Sequence, residues 1–168
     1  MLITGVPGVG KTTALRRVKE LLAGKRIRGF LTDEMRGAGG ERRGFRIETL
    51  DGQTALLAGV GLRSPHRVGR YGVDLAALDA VAVPALAVEE GAVYLIDEIG
   101  KMECLSQAFT DAVARLLDSD CPVIATIAQR GSGFIAEVKR HPGAESWEVT
   151  RANRDEMPGR IVAWLNER

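Results

Sequence analysis

The feature that most constrains the fold of this chain is a glycine-rich segment close to its start, which reads Gly5, Val6, Pro7, Gly8, Val9, Gly10, Lys11 and Thr12. A short apolar run, Met1 to Ile3, precedes the segment, and apolar residues recur at helical spacing after Thr13. Glycines allow such a loop to turn its backbone N–H groups toward a polyphosphate. The order of strand, loop and helix therefore predicts a P-loop.

The residues at the end of this loop suit a magnesium-bound triphosphate. The helix that begins here adds free N–H groups and the positive end of its dipole. Lys11 is placed to reach the β- and γ-phosphates, and the hydroxyl group of Thr12 is placed to hold Mg²⁺. A glycine-rich turn that caps a surface helix is the alternative, but it does not explain a lysine and a hydroxyl at these fixed offsets.

A second informative stretch is the apolar run from Ala92 to Ile96, which ends in Asp97 and Glu98. A continuous apolar run predicts a strand buried on both faces, and ligands of open α/β sheets bind beyond the carboxyl ends of such strands. The pattern is that of a Walker B motif, in which Asp97 would hold Mg²⁺ through water and Glu98 would orient and deprotonate an attacking water. An acidic cap on the next helix is the alternative, and the P-loop in the same chain favours the functional interpretation.

Between the two motifs the sequence predicts an antiparallel insertion at about residues 35–58. Ile27 to Asp33 has the pattern of a strand, Phe45 to Leu50 alternates apolar and polar residues, and Asp51-Gly52 is a tight-turn signal before a return strand. The insertion carries four arginines, Arg36, Arg42, Arg43 and Arg46. We interpret them as a solvated hairpin tip, with a phosphate- or RNA-binding role as the alternative.

After the second motif, the pattern predicts further helices and one more buried strand. An apolar helical stripe runs from Leu105 to Leu117, and Cys121 to Ala128 has the pattern of a buried strand. The end of that strand carries the polar residues Thr126, Gln129 and Arg130. Residues at this position of P-loop enzymes often sense the γ-phosphate, and a strand-ending cap is equally consistent. Asn153 and Glu156 predict a capping box for the final helix.

Composition limits the classes to which the chain can belong. Its 168 residues predict one domain, residues 1–168, and its formal charge of +1 does not support extensive binding to nucleic acid or to a membrane surface. Cys104 and Cys121 lack metal-ligand spacing, which favours reduced thiols, and His66 and His141 have no partner at catalytic spacing.

No apolar run approaches the length of a membrane span. We expect a cytoplasmic monomer.

Five stretches together resemble the THEP1 family of nucleoside-triphosphatases: Gly5 to Thr12, Gly29 to Arg36, Tyr71 to Asp74, Asp97 to Glu103, and Val149 to Asp155. The resemblance implies a P-loop α/β fold of the RecA-like kind, a three-layer sandwich whose mostly parallel sheet carries the antiparallel hairpin. It also implies an enzyme that hydrolyses ATP, GTP, CTP and UTP to the diphosphate and phosphate with Mg²⁺. Val6 stands where the family commonly has proline.

The resemblance also implies which residues contact the nucleotide. By position these are Gly5 to Thr13, Arg154 as a base contact, and the run Val93, Tyr94, Leu95, Ile96, Asp97, Glu98, Ile99 and Gly100. Glu98 and Lys11 are the predicted catalytic residues, and Thr12 and Asp97 the predicted metal ligands. Arg70, Lys101 or Arg130 could add positive charge at the γ-phosphate.

Two other functions share these motifs. A small nucleotide or nucleoside kinase also has a P-loop, and the hairpin from Arg36 to Arg46 could serve as its lid. A glutamate directly after Asp97, however, suits activation of water better than transfer to a hydroxyl group. A nucleotide-dependent switch or RNA-associated adaptor would use hydrolysis only to time a binding event. Clustered arginines support this second alternative, and the near-neutral charge weakens it.

Overall fold

The computed structural model describes all 168 residues and contains nine strands and five helices. The strands are β1 (Leu2–Thr4), β2 (Ile27–Arg36), β3 (Arg42–Thr49), β4 (Thr54–Val60), β5 (Arg67–Val68), β6 (Tyr71–Val73), β7 (Val93–Ile99), β8 (Val123–Ile127) and β9 (Ser146–Glu148). The helices are α1 (Lys11–Leu21), α2 (Leu75–Ala85), α3 (Gln107–Leu117), α4 (Phe134–Arg140) and α5 (Met157–Asn166), and a 3₁₀ turn covers Glu103–Leu105. None of the helices combines the length and apolarity that a bilayer crossing requires.

The strands form one mixed sheet in the order β5-β6-β4-β3-β2-β7-β8-β1-β9. The strands from β2 to β9 in this order are parallel, and those from β2 to β5 are antiparallel. The predicted α/β fold with an antiparallel insertion is confirmed. The antiparallel part is larger than residues 35–58, because β2 continues to Arg36 and because β5 and β6 extend the sheet beyond β4. The sheet is therefore evenly mixed rather than mostly parallel.

Apolar side chains on the two faces of the sheet form two core layers. Along β7, Tyr94 and Ile96 belong to the layer under α2, α3 and α4, whereas Val93 and Leu95 belong to the layer under α1 and α5. Both layers are formed because successive residues of a strand point to opposite faces. The result is the three-layer arrangement, with the middle strands covered on both sides.

Side-chain caps determine where two of the helices begin. The carboxylate of Asp74 accepts a hydrogen bond from the backbone N–H of Ala77 at the start of α2. The hydroxyl of Ser106 accepts one from Phe109 at the start of α3. Because this cap follows Leu105, the predicted apolar stripe begins too early: Leu105 lies in the 3₁₀ turn and is 42% exposed.

The predicted capping box of the final helix is wrong. The side chain of Asn153 accepts from the backbone N–H of Thr150 at 2.8 Å and donates to the carbonyl oxygen of Glu148 at 2.9 Å. These bonds close the turn after β9 instead of capping a helix. Glu156 occupies the N-cap position of α5 without a side-chain hydrogen bond, and Pro158 lies in the first turn, where its missing N–H costs nothing.

Gly29 allows β2 to approach β7 closely. Its φ is +106°, and a Cβ atom at this position would lie 2.0 Å from the carbonyl oxygen of Leu95. Any side chain would therefore strain the backbone and push apart two paired strands of the sheet.

We expect Gly29→Ala to lower the free energy of unfolding by about 2–4 kcal/mol, since it combines a left-handed conformation with a steric clash. Gly24→Ala is the matched control, because Gly24 also has a positive φ, +90°, but has nothing within 4 Å of the added atom. The control should lose only about 1–2 kcal/mol, the cost of the backbone conformation. Urea denaturation of both variants measures the difference, and equal losses would contradict the close-approach argument.

Candidate active site

The P-loop joins β1 to α1 and packs against the segment after β9. A Cβ atom at Gly5 would lie 2.6 Å from the carbonyl oxygen of Val149, so only glycine allows this packing. The helix α1 begins at Lys11 directly after Gly10. The first N–H groups of α1 therefore have no partner within the helix and are available to a bound anion.

Lys11 connects the P-loop to the acidic end of β7. Its Nζ atom donates to the carbonyl oxygen of Gly5 at 3.1 Å and lies 3.9 Å from Oε2 of Glu98. In the sheet, β8 separates β1 from β7, but all three strands are parallel and end at the same edge. The structure thus brings the two predicted motifs together.

Asp97 is a buried carboxylate whose surroundings are largely fixed. It is 2% exposed, and its Oδ1 atom accepts a hydrogen bond of 2.5 Å from the hydroxyl of Thr126. The hydroxyl of Thr32 donates to its backbone oxygen. Burial raises the pKa of Asp97, whereas the hydroxyls of Thr126 and Thr12 and the charge of Lys11 act in the opposite direction.

The residues around Asp97 fit a magnesium ion that is bound together with a nucleotide. The Oδ2 atom of Asp97 is buried without a hydrogen-bond partner, and Thr12 lies on the same cavity wall. A carboxylate and a hydroxyl are hard oxygen donors of the kind that Mg²⁺ prefers, with phosphate and water completing its shell. An orphaned buried oxygen is otherwise costly, which supports its use as a ligand.

Glu98 faces the cavity beside Asp97, and its side chain is 33% exposed. Burial raises the pKa of Glu98, with a further contribution from the negative charge of Asp97, whereas Lys11 and Lys139 lower it. Lys139 also donates to the carbonyl oxygens of Ala128 and Gln129 at 2.7 and 2.8 Å, so it holds the loop after β8 against this site. A carboxylate with a raised pKa is a better base than an exposed one.

A cavity of about 710 Å³ lies between the P-loop, the end of β7 and the antiparallel part of the sheet. The P-loop and β7 sides are lined by Gly5, Pro7, Gly8, Gly10, Lys11, Thr12, Thr13, Asp97, Glu98, Gly100, Lys101, Met102 and Glu103. The remaining wall consists of Thr32, Asp33, Glu34, Arg36, Arg42, Phe45, Val68, Ala128, Gln129 and Arg130. Only 4 of the 23 lining residues are hydrophobic, which suits a charged ligand.

Seven of the contacts predicted in the P-loop and in β7 do not line this cavity with their side chains. The side chain of Val6 is exposed on the outside of the loop, and Val9 is buried beneath it. The other five are the core residues Val93, Tyr94, Leu95, Ile96 and Ile99, which are at most 7% exposed. The five β7 side chains fill the two core layers and hold Asp97 and Glu98 in place, and Val9 belongs to one of these layers. Contact of these residues with the nucleotide stays a prediction.

Two of the three side chains predicted to add positive charge at the γ-phosphate lie at the cavity, and the third does not. Lys101 and Arg130 line the cavity. Arg70 does not, because it lies in the turn between β5 and β6 and donates to the carbonyl oxygen of Arg42. Arg154 is not among the lining residues but lies beside the P-loop, with its Cδ atom 3.7 Å from the position of a Cβ at Gly10. The base contact of Arg154 stays a prediction.

Two further expectations about polar residues change. Thr126 is fully buried and donates to Asp97, so it supports the Walker B carboxylate and is not free to contact a phosphate. Arg36 and Arg42 lie beside the solvated tip of the β2–β3 hairpin, as predicted, but they also line the cavity and form ion pairs with Glu34. Arg46 pairs with Asp33, and Arg43 pairs with Glu41.

Glu103 is a site residue to which the sequence patterns assigned no role. It lies in the 3₁₀ turn after β7, is 5% exposed and lines the cavity near Glu98. Burial raises the pKa of Glu103 to about 8. The signal that could have found it is the run from Asp97 to Glu103, which places three carboxylates within seven residues.

Comparison with known proteins adds a full-length match. A family model described as NTPase matches residues 1–162. The chain is 41% identical over 98% of its length to "Nucleoside-triphosphatase THEP1" of Thermotoga sp. strain RQ2, of which 94% is covered. The crystal structure of THEP1 from the hyperthermophile Aquifex aeolicus is similar with a TM-score of 0.89, at 38% identity and 98% coverage of both chains. The solution structure of a human cancer-related nucleoside triphosphatase has a TM-score of 0.85 at 35% identity, covering 99% of this chain and 97% of that one.

Removal of the Thr126 hydroxyl tests the support of Asp97. Thr126→Val keeps the shape of the side chain but deprives a buried carboxylate of a donor, so we expect a loss of about 1–3 kcal/mol in the free energy of unfolding. Thr110→Val is the matched control, because Thr110 is also buried but donates to a neutral carbonyl, that of Gln107. Urea denaturation at neutral pH should give a loss below about 1 kcal/mol for the control. A smaller loss for Thr126→Val than for Thr110→Val would contradict the proposed support.

Proposed function

This chain belongs to the NTPase family that includes the THEP1 proteins, and we propose that it hydrolyses several nucleoside triphosphates to the diphosphate and phosphate with Mg²⁺. Nucleoside-triphosphate hydrolysis is the family's activity. The breadth of substrates, the metal and the roles of single residues are our proposals. The observation that supports them best is the distance of 3.9 Å between Lys11 Nζ and Glu98 Oε2, because an amine and a carboxylate this close at one cavity edge suit binding of a phosphate and activation of water.

The chemical step is an in-line attack of water on the γ-phosphorus. Glu98 orients the water and accepts its proton while the water oxygen bonds to phosphorus and the bond to the β-phosphate oxygen breaks. The raised pKa of Glu98 supports this role, since the carboxylate then competes better for the proton.

Charge stabilisation comes from groups that are already in place. The free N–H groups at the start of α1 and the amine of Lys11 would surround the β- and γ-phosphates. Lys101 and Arg130 are the cations of the cavity wall that form no ion pair with a neighbouring carboxylate, so either could approach the γ-phosphate. Because neither is held by a partner, we expect turnover to be slow compared with enzymes that position an arginine finger.

Asp97 and Thr12 would hold the magnesium ion. When bound, Mg²⁺ neutralises negative charge on the phosphate oxygens. The buried position of Asp97, its hydrogen bond from Thr126 and its unpaired Oδ2 atom keep one oxygen fixed and available. Substitution of Asp97 would therefore remove both a ligand and the partner of Thr126.

A broad range of bases agrees with the contacts that the site offers. The loop amides, Lys11 and Asp97 would all act on the phosphates, which every triphosphate shares. Arg154, beside Gly10, is the side chain that we propose to stack on the base. A stacking guanidinium accepts any base, because each base has an aromatic face.

A nucleotide or nucleoside kinase is the second candidate function, because two arginines lie in the cavity wall. Arg36 and Arg42 line the wall beyond Glu98, where a phosphoryl acceptor would lie. Both form ion pairs with the single carboxylate of Glu34, which offsets part of their positive charge and engages guanidinium donors that a phosphate clamp would use. The presence of Glu98 next to Asp97 also favours water as the acceptor.

Phosphate release from ATP, GTP, CTP and UTP, with Mg²⁺ or with EDTA, tests the proposal. We expect all four to be hydrolysed at rates within about tenfold of one another, because the contacts to phosphate are shared, and we expect EDTA to abolish release. A panel of nucleosides and monophosphates is added in parallel. A phosphorylated acceptor would support the kinase, and hydrolysis of a single triphosphate would contradict the broad specificity.

Two variants separate binding from turnover. Glu98→Gln removes the base but keeps the shape, so nucleotide affinity should be retained while kcat falls by about 10²- to 10⁴-fold. Lys11→Ala removes a phosphate contact and should weaken both binding and turnover. Glu90→Gln, at an exposed position, and Lys25→Ala, at another, are the controls and should behave as wild type. Full activity of Glu98→Gln would refute its role, and unaltered nucleotide affinity of Lys11→Ala would refute the P-loop contact.

A further inference from the structure

Glu103 is a buried carboxyl group that no cation balances. It is 5% exposed, and the charges that act on it are those of Glu98 and Asp97, which are both negative. Its side chain nevertheless reaches the wall of the cavity. It therefore combines burial, like-charged neighbours and access to the site.

The fold gains little from a carboxyl group at this position. A buried carboxyl without a cation costs free energy, and an apolar side chain of similar size usually stabilises a protein in such a place. The cap of α3 is supplied by Ser106, and the turn before it is closed by backbone bonds from Cys104 to Gly100 and from Ser106 to Glu103. The carboxyl group receives hydrogen bonds from the backbone N–H groups of Gly100 and Glu103 in the same turn, but these do not offset its burial, because the net shift of its pKa is upward.

The carboxyl groups of Glu103 and Glu98 both lie close to the backbone of Gly100. A Cβ atom at Gly100 would lie 2.8 Å from Oε2 of Glu103 and 3.4 Å from Oε1 of Glu98. The two carboxyl oxygens are therefore no more than about 6 Å apart, which is the sum of these distances. One water molecule with two hydrogen bonds of about 2.8 Å each can bridge such a gap. Gly100 leaves the space between the two groups free.

We propose that Glu103 is a positioning residue, which holds the carboxylate of Glu98, and through it the attacking water, at the phosphate end of the cavity. The inference rests on the proposed function, since it assigns a support to the base of that reaction. Glu103 neither takes up nor releases a proton in the step: the proton of the attacking water goes to Glu98.

Hydrogen-bond donation is the means by which Glu103 would act. Because burial raises its pKa to about 8, the group keeps its proton at neutral pH and can donate it toward Glu98 directly or through a water. The pair then carries one negative charge instead of two.

The other titratable groups near the turn leave this arrangement intact. Burial raises the pKa of Cys104 to about 12, so its thiol is neutral. Asp79 of α2 accepts a hydrogen bond from the hydroxyl of Ser106, and the first turn of α3, from Gln107 to Thr110, has no charged residue. Asp97, on β7, is directed to Thr126.

Two variants test the role. Glu103→Met is apolar and of similar size, so it should fold with a Tm equal to or above that of wild type and bind nucleotide with unchanged affinity. Its kcat should fall by about 10- to 100-fold at unchanged KM, because Glu98 loses its orientation. Glu103→Gln keeps a neutral donor of the same shape and should restore kcat to within about threefold of wild type.

Phosphate release by wild type, measured in the same assay, separates failure of the proposed hydrolase function from failure of the role proposed for Glu103. A wild-type chain that releases no phosphate from any triphosphate would overturn the proposed function and this inference with it. If wild type hydrolyses a triphosphate and Glu103→Met does so at the same rate, the inference alone is overturned. A Glu103→Met variant that fails to fold, or a Glu103→Gln variant as impaired as Glu103→Met, would overturn it too, since a structural role or a need for the charged carboxylate would then explain the residue.

Discussion

The structure depends on the burial of carboxylates at the end of its central strand. Because β7 is covered on both faces, Asp97 is buried and Glu98 is partly buried at the cavity wall, where an unbalanced negative charge is costly. The groups that stabilise this negative charge belong to three different elements: Thr126 to β8, Thr32 to β2, and Lys11 to the end of the P-loop. The order of the strands in the sheet is what brings these donors to one place.

Some of the positively charged side chains around the cavity form ion pairs, and others do not. Lys101 and Arg130 face the cavity without a carboxylate partner, whereas Arg36 and Arg42 share the single carboxylate of Glu34. A polyanion would therefore be held at the P-loop end, where the helix dipole and Lys11 add to the attraction. The same inequality explains why a cavity of mixed charge can favour one orientation of a triphosphate over the reverse.

Local patterns predicted the elements that depend on near neighbours in the chain. The glycine loop followed by Lys11 and Thr12, and the apolar run ending in Asp97, were correct because strand, loop and helix signals act over a few residues. The errors concern distant partners. Asn153 closes a turn instead of capping a helix, and the antiparallel part of the sheet extends beyond its predicted end. Thr126, for which the sequence allows a γ-phosphate contact or a strand-ending cap, supports Asp97.

The sequence by itself determined the type of fold, the P-loop and the acidic strand end, since spacing and periodicity encode them directly. Only the tertiary structure decided which polar groups are buried together. Thr126 lies 29 residues from Asp97 in the chain and Thr32 lies 65 residues away, yet both donate to it. Such contacts follow from the order of the strands, and burial then sets the pKa of each carboxyl group. Glu103 shows the same division: its position in the chain assigns it no role, but the fold removes it from water close to Glu98.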